Sequence, residues 1–197
     1  MSAVPPRNRR ADARRSRASI LDAAVRLLDS DPDASVEAIA RAAGVTRQTV
    51  YAHFPTRQDL LGAVLDRITE ESVAAMDAAE VGAGTAADVL LRLLDAGAGV
   101  AGRHRALLQR IGSLPVSPQE DERRHAPVAD RLRAVVVRGQ QAGELDDDLP
   151  VDWVVTAVIR LGHAASEEAD AGRMPEPRAR EVLRTTVLRV LGTGVSA

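Results

Sequence analysis

Between Ser35 and Leu61 the sequence reads SVEAIARAAGVTRQTVYAHFPTRQDLL, two short helical periods broken at a single glycine. Val36, Ile39, Ala40 and Ala43 recur at three- and four-residue spacing and form one apolar stripe, so a helix is predicted from about Ser35 to Ala43. Ser35 is placed to cap its first N–H groups, and Glu37 suits the positive end of the helix. Gly44 follows where a helix terminus commonly needs a left-handed residue, which a Cβ would resist, and Val45 can fold back on the apolar face. The chain must turn at this point. Thr46 is the N-cap of a second helix in which Val50 and Phe54, four apart, face inward with Val45. Pro55 closes that helix, and Thr56-Arg57-Gln58-Asp59 is a capping box opening the next.

Once the apolar positions are assigned to a core, Arg47, Gln48, Thr49, Tyr51 and His53 remain outside it. Their guanidinium, amide, hydroxyl, phenol and imidazole groups are those that pair with base edges and phosphate oxygens in a major groove. Two short helices joined by a tight turn, the second with an exposed polar face, are the layout of a DNA-reading helix-turn-helix. The candidate DNA-contact set is therefore Ser35, Thr46, Arg47, Gln48, Thr49, Tyr51, His53 and Arg57, the last placed to meet a phosphate beside the recognition helix. Tyr51 and Phe54 are, with Trp153, the only aromatic side chains of the phenylalanine, tyrosine and tryptophan types in the chain, so their concentration here is not background from an aromatic core. The alternative for Arg47 and Gln48 is a merely solvated face, and for His53 a structural histidine at a helix end.

The run from Ile39 to Leu61, IARAAGVTRQTVYAHFPTRQDLL, closely resembles the TetR family of bacterial one-component repressors. The resemblance rests on AxxAGV, the Tyr-x-His-Phe run, and a basic residue before an acidic-Leu-Leu helix start, and covers about the first third of the chain. It implies that the positions of Thr46, Arg47, Gln48, Thr49, Tyr51 and His53 face an operator and that Arg57 contacts backbone phosphate. The family commonly has Lys at that last position; Arg keeps the charge with a forked rather than point-like donor.

Charge is polarised even though the net charge is −2. Residues 1–60 hold 10 Arg against 7 acidic residues, and the remainder 16 against 21. Arg7, Arg9, Arg10, Arg14, Arg15 and Arg17 face only Asp12 after the Pro5-Pro6 pair, so residues 1–14 are expected to form a flexible basic arm, either reaching phosphates or an adjacent minor groove or staying a solvated tail.

A chain of 197 residues with 45% hydrophobic content accommodates a small head at about 15–60 and one larger helical body at about 61–197. The absence of cysteine removes disulfides, thiolate nucleophiles and cysteine metal sites. No run approaches the apolar length of a membrane span, and ILDAAVRLL carries Asp22 and Arg26, which spoil a signal-peptide core, so a cytoplasmic protein with no membrane partner is expected.

Helical periodicity is nearly continuous and strand signals are scarce, which predicts an all-α fold of about nine helices. The first spans about Arg15 to Asp29 with Ile20, Leu21, Ala24, Leu27 and Leu28 inward; the fourth runs from Arg57 to about Ala79. Thr85 to Asp88 and Ser117 to Glu120 are further capping boxes, opening helices to about Val100 and Gln141, with a shorter helix from Arg103 to Ile111 between them. Pro150 opens an apolar helix through Val151 to Ala165, and the last spans about Glu176 to Leu191. Val151 to Ala165 is apolar nearly all round and carries small residues at Gly162, Ala164 and Ala165, so it needs cover on more than one side. The TetR resemblance implies that the last two helices form a two-fold interface, setting two recognition helices about one DNA turn apart; the alternative is an ordinary monomeric core helix.

Gly97 to Gly102 fits G-x-G-x-x-G, yet the preceding Asp88 to Ala96 is helical in pattern and no βαβ unit surrounds it, so a helix end is expected there rather than a dinucleotide site. His104, His125 and His163 lack metal-ligand spacing, and no zincin, Walker or nucleophile-elbow string occurs, so neither catalytic nor metal residues nor a cofactor are assigned. His104, Trp153 and His163 are candidate effector-binding residues, since helical bundles build such sites from single inward polar or aromatic groups. With Trp153 the only large aromatic outside the head, an aliphatic or mixed effector is favoured over a flat polyaromatic one. The combined reading is a homodimeric, ligand-responsive transcriptional repressor acting on a palindromic double-stranded DNA operator and answering to a small-molecule effector. The alternatives are a DNA-binding regulator governed by a protein partner, a nucleoid-type binder, and a small helical enzyme.

Overall fold

The structure is a computed structural model that describes residues 6–112 and 117–192. Among the described residues it contains helices only, nine of them in chain order: α1 Pro6–Ser30, α2 Val36–Ala42, α3 Arg47–His53, α4 Arg57–Glu80, α5 Ala86–Arg103, α6 Arg105–Gly112, α7 Pro118–Gln141, α8 Val151–Asp170 and α9 Glu176–Val190. No helix among the described residues is long and apolar enough to cross a membrane.

The helix starts are made by the side chains that the sequence places there. Thr56 and Asp59 exchange bonds at the start of α4, with Asp59 N–H donating to Thr56 Oγ1 at 3.0 Å and Thr56 N–H to Asp59 Oδ2 at 2.9 Å. Thr85 and Asp88 repeat this at α5, at 3.2 and 3.0 Å. At α7, Ser117 and Glu120 do the same at 3.2 and 3.3 Å. Each box satisfies two N–H groups that the helix cannot pair internally.

Two expected boundaries are corrected. The arm foreseen over residues 1–14 is helical from Pro6 onward and continuous with α1. Proline is tolerated at the first helical position, and the Ala and Arg residues behind it are good helix formers. The second is the end of α5, which lies at Arg103 rather than at about Val100, so the glycine run occupies the last turns of that helix.

The chain divides into two compact units, and α4 and α5 each contribute residues to both. The first comprises the described residues of Met1–Ile68 and Ala101–Val116. In it α1, α2 and α3 pack on one another around Ile20, Leu28, Ile39, Val50, Phe54, Leu60 and Val64, all buried. α6 belongs to this unit rather than to the body expected after residue 60, because Leu107 and Ile111 are buried and α6 packs on α1. His104 Nδ1 lies 2.8 Å from Asp29 Oδ2, which adds a polar tie to that contact.

The second unit comprises Thr69–Val100 and the described residues of Ser117–Ala197. Its core joins Met76, Leu90, Leu93, Leu132, Val135, Val136, Leu145, Val154, Val155, Val158, Val187 and Leu191. Within it α8 packs on α7 and α9. α7 ends at Gln141 and is followed by Gly143, whose φ of +69° is the left-handed conformation that favours glycine.

Gly139 is required for a different reason. A Cβ there would stand 2.6 Å from Ala86 Cβ and 2.6 Å from Leu145 Cδ1, inside the core. Helix propensity alone makes Gly→Ala favourable by about 1 kcal/mol in a helix interior, whereas overpacking costs about 1–3 kcal/mol. Gly139→Ala is therefore expected to destabilise the second unit, measured as a lowered midpoint in denaturant with unchanged helical content before the transition. A raised midpoint would mean that Leu145 has room to retreat.

Candidate nucleic-acid interface

α2 and α3 are joined through Gly44 at φ +68°. Val45 N–H donates to Ala40 O at 2.9 Å and Gly44 N–H to Arg41 O at 3.2 Å, the paired bonds of a Schellman turn. The chain is thereby reversed in three residues, and Thr46 starts α3 by accepting from Thr49 N–H at 3.1 Å. Ser35 accepts from Ala38 N–H at 3.2 Å and performs the same task for α2. Ser19 Oγ donates to Ala43 O at 3.3 Å, fastening the end of α2 to α1.

Val50 and Phe54 anchor α3 in the core, at 1% and 3% exposure. That leaves Thr46, Arg47 and Gln48 exposed and Thr49, Tyr51 and His53 half-buried on the outward side, so the structure brings together six of the eight expected contact residues on one short helix and its cap. The Thr46 and Thr49 hydroxyls lie 2.8 Å apart and share a hydrogen bond. The His53 ring is tilted against Phe54 at 6.4 Å between centroids.

Arg47 lies over the Tyr51 ring, 5.3 Å from its centroid, and its Nη2 donates to the phenol oxygen at 3.4 Å. Its Nη1 also makes an ion pair with Glu37 of α2. The bond to Tyr51 and the charge of Glu37 push the Arg47 guanidinium above its usual pKa. Glu37 is held below the usual carboxylate range, first by a backbone hydrogen bond and then, against some desolvation, by the charge of Arg47. The cation is therefore fully charged and held along α3.

The remaining two expected residues have structural duties of their own. Ser35 is the cap described above. Arg57 is half-buried and its Nη1 donates to Ala34 O at 2.7 Å, bracing the chain just before α2; a guanidinium has five N–H donors, so others are left to meet a phosphate. Two residues of this surface were not in the expected set. Arg17, on α1, stands over the Phe54 ring at 5.0 Å. Glu37 was read only as a helix-start acid; its partner Arg47 lies ten positions on, across a turn, at a spacing no single-helix rule covers.

The residues considered for effector binding do not converge. His104 is 7% exposed and occupied with Asp29 in the first unit. Trp153 and His163 both sit on α8, and ten helical residues separate them by about 15 Å along the axis. His163 is exposed with its ring edge-on to His125 at 5.4 Å. Trp153 is 62% exposed and lines an open depression of about 520 Å³ between α8 and α9, with Leu149, Ala157, Leu161 and Val190 and with Arg160 and Arg189.

Comparison with known proteins agrees with this geometry. The family model described as "Bacterial regulatory proteins, tetR family" matches residues 20–64. Over 81 residues the chain is 40% identical to the HTH-type transcriptional repressor LfrR of Mycolicibacterium smegmatis, covering 41% of this chain and 43% of that protein. The chain thus spans less than half the length of the curated relatives it matches. Along nearly its full length it is similar to the crystal structure of the TetR-like regulator LfrR from Mycobacterium smegmatis in complex with proflavine, at 25% identity and a TM-score of 0.60, covering 93% of this chain and 98% of that one. The fold is also that of the fatty acid degradation regulator FadR from Bacillus halodurans, at 16% identity and a TM-score of 0.73, with 95% and 97% covered. The curated relative LfrR is a transcriptional repressor.

Proposed function

Since the chain belongs to the TetR family of bacterial regulatory proteins, we propose that it acts in the cytoplasm as a dimeric, ligand-responsive repressor of transcription that binds a palindromic operator. The observation that carries the DNA part is the outward face of α3, where Arg47 is laid along Tyr51 beside Gln48 and Thr49 while Val50 and Phe54 fix the helix from behind. A guanidinium in that position can donate in bidentate fashion to a guanine edge, and Gln48 can pair with an adenine. Thr46, Tyr51 and His53 would add edge or phosphate contacts, and Ser35 and Arg57 would hold the backbone in register. A two-fold pair of such heads reads two half-sites about one helical turn apart, which is why a palindrome is the expected operator.

Dimerisation through α8 and α9 is supported by the exposed Trp153, which stands beside the half-buried Ala157, Leu161 and Val190 in an open depression between the two helices. Responsiveness to a small molecule is supported by the relative LfrR, whose structure holds proflavine. A ligand acts through its difference in affinity between two body conformations, and α4, whose residues belong to both compact units, is the continuous element through which that difference reaches the head.

The test begins with a duplex that the full chain selects from a random-sequence pool. Arg47→Ala and Tyr51→Ala are each expected to weaken binding to that duplex by about 1–3 kcal/mol, and Arg47→Ala to relax preference at one base-pair position. Helical content and melting temperature should be unchanged. If both variants bind the selected duplex with wild-type affinity and specificity at matched salt, α3 does not read DNA.

A further inference from the structure

An acidic side chain on a surface meant for DNA is unfavourable unless it has a purpose, and the α2–α3 surface carries one at its most informative cation. Glu37 projects from the first turn of α2, is 46% exposed, and pairs with the Arg47 guanidinium of α3. It is not buried, and in the first turn of α2 its carboxylate also accepts a backbone hydrogen bond and interacts with Ser35, the N-cap. Its stabilising effect on the fold is that of an exposed pair and is small. Its effect on the groove-facing surface is not small, because it changes what Arg47 can do.

A free arginine on a long flexible stem is drawn to the nearest phosphate, and phosphates are the same at every sequence. Arg47 is not free in that sense. Glu37 satisfies part of its charge from α2, while Tyr51 holds it from the α3 side through the ring face at 5.3 Å and the phenol oxygen at 3.4 Å. The guanidinium is thus held in one place and has a carboxylate that must be outcompeted. A guanine edge in the correct register can do so by accepting two hydrogen bonds in fixed geometry. A phosphate approached at random must overcome the same carboxylate and also meets its negative charge.

We propose that Glu37 is a specificity-determining positioning residue, which holds Arg47 on Tyr51 and opposes sequence-independent phosphate binding, so that it costs affinity on all DNA and raises discrimination. This rests on the assignment of α3 as the DNA-reading helix.

The experiment is a double-mutant cycle on the full chain with Glu37→Gln and Arg47→Ala. Binding is measured against the duplex selected by the wild-type chain and against a random-sequence duplex of equal length, across a range of salt. Gln keeps the length and shape of Glu while removing the charge. Glu37→Gln is expected to bind the random duplex more tightly, to steepen the dependence of log affinity on log salt by about 0.9, and to lower the ratio of selected to random affinity by about two- to fivefold. In the Arg47→Ala background both changes should vanish, because the added phosphate contact is made by the Arg47 guanidinium that Glu37 otherwise holds. A merely structural Glu37 would alter the ratio in both backgrounds or in neither, and either result overturns the proposal. An increase in discrimination in Glu37→Gln overturns it as well. If the wild-type chain itself fails to prefer any duplex from the pool, the failure lies with the DNA-reading assignment and would be seen before either variant is made.

Discussion

Phe54→Ala is expected to lower the stability of the first unit by roughly 3–5 kcal/mol, the largest single-residue effect in the head. The ring is 3% exposed and sits at the end of α3, where its N–H still donates to Val50 O at 2.8 Å, so it fastens the end of the candidate recognition helix to the core. Truncation removes the buried apolar area, leaves a cavity that the short α2–α3 pair cannot close, and deprives Arg17 of the ring face it covers at 5.0 Å. Amide hydrogen exchange gives the reading by region: α1, α2 and α3 should lose protection together while α8 keeps it. Phe54→Leu, which retains most of the volume, should lose far less. Full protection of α3 in Phe54→Ala would show that the ring is not part of the head's core. DNA binding should fall with the folded fraction of the head, which separates this variant from Arg47→Ala, where the head stays folded and only reading is lost.

On the proposed two-fold contact through α8 and α9, Trp153→Asp is expected to leave the chain monomeric at micromolar concentration and, through that, to weaken operator binding by roughly 10²–10⁴-fold, the advantage of linking two half-site contacts. An indole 62% exposed on a single chain, among Ala157, Leu161 and Val190, has the character of an interface anchor with arginines at the rim, here Arg160 and Arg189. A carboxylate in that place removes the apolar area of the indole and must be desolvated on association, and the exposed arginines at the rim repay little of that cost. Sedimentation of the wild type and the variant decides the matter, with Trp153→Phe as the control that keeps an apolar ring. If Trp153→Asp sediments as the wild type does, the two-fold contact lies elsewhere. On this proposal Trp153 would serve the two-fold contact, whereas the sequence suggested it for effector binding.

Much of this was legible in the sequence because it depends on neighbours. Ser35, Thr46, Thr56, Thr85 and Ser117 each cap the helix that follows them, since a cap needs only a side-chain oxygen and an N–H two or three residues on. Gly44 and Gly143 adopt left-handed φ where the helical pattern stops. The outward face of α3 follows by subtraction once Val50 and Phe54 are assigned inward. The arm was misjudged for a related reason: clustered Arg residues after two prolines suggest a solvated coil, but they are also competent helix formers, and α1 runs from Pro6.

The sequence by itself determined the nine helical segments of the described residues, the capped starts of α2, α3, α4, α5 and α7, and which side of α3 is polar, because those outcomes follow from interactions spanning about four residues. Only the tertiary structure decided that α6 joins the first unit through Leu107, Ile111 and the Asp29–His104 pair, that Gly139 is needed for Ala86 and Leu145, and that Arg47 is held by Glu37. Each of these contacts joins residues on different elements of the fold, helices or the turns between them, so none follows from the spacing rules of a single helix. It exists only once the helices are packed, and periodicity along one helix carries no information about which other helix will meet it.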